Sequence, residues 1–132
     1  MSREGSKGTR KVTKVLIIDR ETRILDSLAS FIRAKGHEAF GAKDIMEVVS
    51  LLEREEPHLV FVDALFLGRP RALPLVDRIK RTSEKVKIYL MCVFPPMGEI
   101  LAKRIGADGI IFKPFQMVEI GKLIEGTCSE PT

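Results

Sequence analysis

Hydrophobic and polar positions follow two different periods along this chain, and the switch between them recurs from one end to the other. Short unbroken apolar runs, VLIID (15–19), LVFVD (59–63), IYLMCV (88–93) and GIIF (109–112), have the pattern of strands buried on both faces. HEAFGA (37–42) is a weaker candidate of the same kind. Between the runs, apolar residues return at helical spacing. Ile24, Leu28, Phe31 and Ile32 share one helical face, and Lys35-Gly36 supplies a stop with glycine as the cap. Ile45, Val48, Val49 and Leu52 form a second face, closed by Glu56-Pro57 because the residue before proline resists helical dihedrals.

Val76 and Ile79 mark a third helix, whose first turn tolerates Pro74. A fourth, around Ile100, Leu101 and Ile105, ends at Gly106, and a fifth carries Met117, Ile120 and Ile124 before Gly126. Five strands alternating with five helices predict an α/β domain. Parallel strands need right-handed crossovers, so the helices should divide between the two faces of one sheet. Ligands are then expected beyond the carboxyl ends of the strands.

A length of 132 residues is that of one domain, and its apolar content excludes disorder of the whole chain. The net charge of +4 suggests nucleic acid only until it is located: Arg3, Lys7, Arg10, Lys11 and Lys14, offset by Glu4, account for all of it. That basic start, rich in Gly, Ser and Thr and without an apolar run, reads as a flexible arm over residues 1–11 rather than a signal peptide. It is either a weak tether to an anionic surface or a solvated arm, and we expect the second. Residues 12–126 are then the folded domain and 127–132 a short tail. No stretch approaches the roughly 20 apolar residues of a membrane span. Cys92 and Cys128 have no metal-like spacing, which points to reduced thiols and a cytoplasmic setting. His37 and His58 show no partner spacing for a metal and read as ordinary surface or strand-edge residues.

Charged residues converge at the strand ends. Two of the best runs finish on an acid, Asp19 and Asp63, and GIIF runs into Lys113-Pro114. A lone acid there would be read as a cap for the following helix. Three charged groups at three strand ends suggest a site.

These residues resemble the receiver domains of bacterial two-component response regulators, whose single-domain form is the chemotaxis regulator. The likeness covers residues 12–124. VLIIDRE is similar to the acidic motif of the first strand, HLVFVDAL to the phosphoacceptor strand, KIYLMCV to the fourth strand and GADGIIFKPF to the fifth with its Lys-Pro. The last is the most specific of the four. The resemblance implies a flavodoxin-like, doubly wound five-stranded parallel sheet in the order 2-1-3-4-5, with the ends of strands 1 and 3 side by side at the switch point. It implies Asp63 as the carboxylate that takes a phosphoryl group from a phosphohistidine or small phosphodonor. It further implies Lys113, a hydroxyl donor and Mg2+ as counter-charge, with the metal held by acids including Asp19 and Asp63 and by the Leu65 carbonyl.

Other positions depart from the family pattern. Where the family has a second acid that binds the metal directly, this chain has Arg20, which cannot be a ligand and does not lose its proton. One unit-charge pair at about 4 Å and an effective dielectric near 20 is worth roughly 4 kcal/mol, so an acid-to-arginine exchange should lower metal affinity by orders of magnitude. The Arg20 guanidinium either turns inward toward Asp19 and Asp63 and stands in for the missing cation, or points into water; we expect the inward placement. Cys92 occupies the Thr/Ser position, and a thiol is a poor donor. Ile110 occupies the aromatic or His switch position, so both moving parts of the usual relay are replaced. The loop ALFLGRPRALP lacks the family's Met-Pro turn.

The expectation is therefore an atypical receiver with impaired metal binding and phosphorylation that acts as a protein-interaction module. It would be no enzyme beyond phosphoryl transfer to its own Asp63. Its partners would be a sensor histidine kinase or other signalling protein, without direct nucleic-acid binding or membrane insertion, and its state a monomer or weak dimer. The face that the family uses, here residues 97–125 with Ile110, Met117 and Lys122, is the expected output surface, with Met97 and Met117 each either an exposed anchor or core filler. Because the chain closes at Thr132 we expect no attached output domain. Two alternatives stand beside this: a conventional phosphorylatable receiver, and an unrelated flavodoxin-like nucleotide binder or enzyme. The absence of a Gly-rich phosphate loop in the sequence counts against the last.

Overall fold

The computed structural model describes residues 12–128. The basic arm over 1–11 and most of the tail lie outside the described residues. In chain order the elements are β1 (Lys14–Ile18), α1 (Thr22–Ala34), β2 (Glu38–Ala42), α2 (Ile45–Leu52), β3 (Leu59–Asp63), α3 (Ala72–Lys80), β4 (Lys87–Cys92), α4 (Pro95–Ile105), β5 (Gly109–Phe112) and α5 (Met117–Cys128), with a short 3-10 turn at Ala64–Gly68. The strands form one parallel sheet in the order β2-β1-β3-β4-β5, as the resemblance implied.

Period-two alternation along the strands divides the core. Val15 and Ile17 of β1 face a layer that contains Leu28 and Ile32 of α1 and Ile120 and Ile124 of α5. Leu16 and Ile18 face the other way, toward Val48 of α2, Val76 and Ile79 of α3 and Ile105 of α4. A strand buried on both sides needs apolar residues at every position, which is why the runs looked continuous. Helix ends follow local chemistry. Asp44 caps α2 by accepting a hydrogen bond from Glu47 N, while the Glu47 carboxylate accepts from Lys43 N, so two main-chain donors at that end are satisfied. Pro95 and Pro96 open α4, where the missing N–H groups would have had no helical acceptor. Gly106 closes it in the left-handed region at φ 65°.

Several boundaries differ from expectation: Val93 lies beyond β4, His37 precedes β2, and α2 ends at Leu52, before Glu56-Pro57. Asp19 lies just beyond β1, not within it. The segment after Asp63 is a 3-10 turn that buries Phe66 and Leu67, where sequence gave only an unusual loop. The fifth helix runs through Gly126 to Cys128, so a tail beginning at 127 cuts a helical turn; the Thr127 hydroxyl donates to Leu123 O at 2.9 Å within it.

Candidate functional site

At the switch point, β1 and its neighbour β3 each deliver one aspartate to the carboxyl edge of the sheet. Both are removed from water: Asp19 is 1% exposed and Asp63 6%. The two are built alike. Asp19 Oδ1 accepts a hydrogen bond from Glu21 N at 2.9 Å, and Asp63 Oδ2 accepts one from Leu65 N at 3.2 Å. In each case the carboxylate turns the chain two residues on and keeps its other oxygen for the pocket.

Those two remaining oxygens meet one cation. Lys113 follows β5, its N–H donating to Cys92 O at 2.9 Å, and the Lys113–Pro114 peptide is cis. Its Nζ donates to Asp19 Oδ2 at 2.7 Å and to Asp63 Oδ1 at 3.0 Å. Burial by itself pushes the ammonium pKa down. The hydrogen bonds to both carboxylates, and their charges, outweigh that and hold Lys113 above its ordinary 10.5.

Arg20 does not take the inward place expected of it. Its side chain is exposed at the mouth of the cleft, and it forms no ion pair with Asp19 or Asp63 among the described residues. The physical reason is that the acids already share Lys113, so a second buried guanidinium would lose its hydration without an unpaired carboxylate to replace it.

Magnesium needs a near-octahedral set of oxygens, commonly including one or two carboxylates. Here all four oxygens of Asp19 and Asp63 already accept a hydrogen bond. No group of three His, Cys, Asp or Glu that could hold a metal occurs among the described residues, and Glu21, which lines the same cleft, does not complete one.

Cys92 is buried and turned away from the cleft. Its thiol donates to Phe94 O at 3.2 Å, and it packs beneath α4 where Gly98 comes so near that an added Cβ would lie 3.3 Å from the sulfur. Ile110 is half-buried, pairs in register with Leu90 and packs on the α2–α4 layer. Of the two roles open to Met117, the structure gives it that of core filler: it packs on the α1–α5 layer. Its place at the start of α5 points it toward the sheet. Lys122 is exposed, but it lines grooves with Phe31 and Lys35 of α1 and with Lys87 and Tyr89, away from the cleft.

Sequence reasoning missed Val93 and Phe94 in the wall of the cleft. Above the acids opens a cavity of about 660 Å³ lined on its apolar side by Leu65, Val93, Phe94 and Met97. Val93 and Phe94 are 71% and 58% exposed. The available signal was the Pro-Pro pair: a helix that starts at Pro95 leaves the two preceding apolar residues beyond the strand, in a loop.

Fold and site together define a doubly wound α/β domain with a carboxylate–lysine pocket at its switch point. The family model for the response regulator receiver domain matches residues 15–125, and the chain belongs to that family. Among solved structures it is similar to NtrX from Brucella abortus in complex with ADP, at 27% identity and a TM-score of 0.77 over 89% of this chain. The match spans only 27% of that longer chain. The isolated receiver domain of NtrX from Brucella abortus is 28% identical with a TM-score of 0.73, over 86% of this chain and 97% of that one. Chemotaxis response regulator CheY4 of Vibrio cholerae, at 18% identity and a TM-score of 0.75 over 89% and 99% of the two chains, shares the fold. Receiver domains are signalling modules that work with histidine kinases and other signalling proteins. No described helix is long and apolar enough to cross a membrane.

Proposed function

We propose that this receiver is an atypical one, which signals by binding a protein partner and not through metal-dependent phosphorylation of Asp63. The carrying observation is that every carboxylate oxygen of Asp19 and Asp63 is already engaged, two of them by Lys113, while Arg20 stands where a third ligand would be needed. A phosphoryl group on Asp63 would compete with the Lys113 bond to that residue and would turn its single negative charge into a dianion's two, with no divalent ion to balance them. With Cys92 bonded within its own loop and Ile110 packed in place, a modification has little difference between two states to act upon.

An apolar surface favours the interaction role. Leu65, Val93, Phe94 and Met97 at the cleft, Ile100 one turn further along α4, and Phe112, whose ring lies beside Gly98, are all exposed. Neighbouring exposed apolar groups of this size mark contact surfaces. A sensor kinase or another signalling protein would cover the α4–β5 side.

Incubation with acetyl phosphate and millimolar magnesium is expected to leave the intact mass unchanged. A gain of one phosphoryl group that disappears in Asp63→Asn would overturn the proposal and establish a conventional phosphorylatable receiver.

A further inference from the structure

The opposite end of the sheet from the cleft carries the chain's two histidines, and both do the same thing. His37, one residue before β2, accepts a hydrogen bond at Nδ1 from Thr13 N at 3.0 Å. His58, one residue before β3, accepts at Nδ1 from Lys14 N at 2.9 Å. Each bond has a reciprocal partner in the main chain: Glu38 N donates to Thr13 O at 3.0 Å, and His58 N donates to Lys14 O at 2.9 Å. The first rungs on either side of the central strand β1 are thus closed by an imidazole lone pair where a longer strand would use a carbonyl.

A nitrogen that accepts an N–H bond carries no proton. Both imidazoles are therefore neutral, with the proton on Nε2. A second proton can enter only at Nδ1, and it would set an N–H against an N–H. We propose that His37 and His58 form a pH-operated clamp on the start of β1, closed when both rings are neutral and released when they are protonated.

The surrounding charges are mixed. Lys35, Lys122 and Glu125 line the groove that holds His37, and Glu38 follows it in the chain. Beside His58 are Lys14, which pairs with Glu55 at 3.4 Å, and Lys87, whose N–H donates to His58 O at 3.0 Å. Asp19 and Asp63 belong to the other end of the same strands, and the clamp acts without them.

The test uses the whole chain and follows amide hydrogen exchange at Thr13 and Lys14, as protection factors corrected for intrinsic rates, at pH 7.5 and pH 5.0. Wild type is expected to lose at least about tenfold protection at the lower pH, because the bonds there are exchanged for a donor–donor contact. In His37→Asn/His58→Asn the side-chain carbonyl can accept the same N–H at either pH, so protection should persist at both. In His37→Leu/His58→Leu it should be low at both, with the remaining amides of β1 and β3 showing that the domain is folded. Equal wild-type protection at the two pH values would overturn the clamp, as would an Asn variant that titrates like wild type, or nitrogen shifts showing Nδ1 protonated at pH 7.5.

Discussion

Arg20→Asp is expected to give this domain a magnesium site. The substitution returns a third carboxylate to the mouth of the cleft, beside the two buried acids, and provides the hard oxygen donor that a small divalent ion needs. Lys113 can then surrender part of its contact with the acids to the metal. An ion held at a hundred times its dissociation constant stabilises the folded state by about 2.7 kcal/mol, which for a domain of this size raises the melting temperature by roughly 10 °C. Calorimetry in chelator and in magnesium should show that rise in Arg20→Asp and none in wild type. In chelator the variant should melt below wild type, since three carboxylates then share one lysine. If the variant melts at the same temperature with and without magnesium, the missing acid is not what excludes the ion, and the reading of the pocket as metal-free by design falls with it.

Lys113→Met should be the most damaging single change to stability. The ammonium side chain is 13% exposed and its partners 1% and 8%, so its removal leaves two carboxylates facing each other out of reach of water. Breaking a buried pair in this way costs about 3–5 kcal/mol, read from urea unfolding at neutral pH. Asp19→Asn added to Lys113→Met should recover part of the loss, because one uncompensated charge is gone. The pH dependence has a definite sign. Folding raises the Lys113 pKa above 10.5, so the stabilisation is complete below 10.5 and disappears as pH rises through the folded value. The gap between wild type and Lys113→Met should hold up to about pH 10 and narrow only as pH rises beyond 10.5 through the folded value. A loss under about 1 kcal/mol at pH 7 would mean that Lys113 is not what keeps the acids buried.

The strands were legible because burial on both faces forces continuous apolar runs, and LVFVD and GIIF coincide with β3 and β5 residue for residue. The sheet order followed from the family likeness, since adjacency of β1 and β3 is a tertiary fact that no local pattern encodes. Within the site, Asp19, Asp63 and Lys113 were visible as three charges at three strand ends, but which cation would occupy the centre was not. Arg20 is next to Asp19 in sequence, and nearness along the chain favoured it. Nearness in space depends on the direction in which β5 delivers Lys113, and that is fixed by the β4–β5 register. Met117 stayed open between two roles for a related reason: a methionine at the start of a helix is equally good as anchor or core filler, and only the rotation of α5 about its axis decides. The histidines gave no signal because their partners are main-chain N–H groups, which every sequence possesses.

The lysine that joins the acids is 94 residues after one of them and 50 after the other. Chains are made from the amino end at about 5–20 residues per second, so on the order of ten seconds separates the appearance of Asp19 from that of Lys113. For that interval the nascent protein holds two acids destined for adjacent strand ends and no lysine to set between them. Pairing of β1 with β3 before that point would set two acids side by side without their lysine, an electrostatic cost that the segment following the last strand to be made removes.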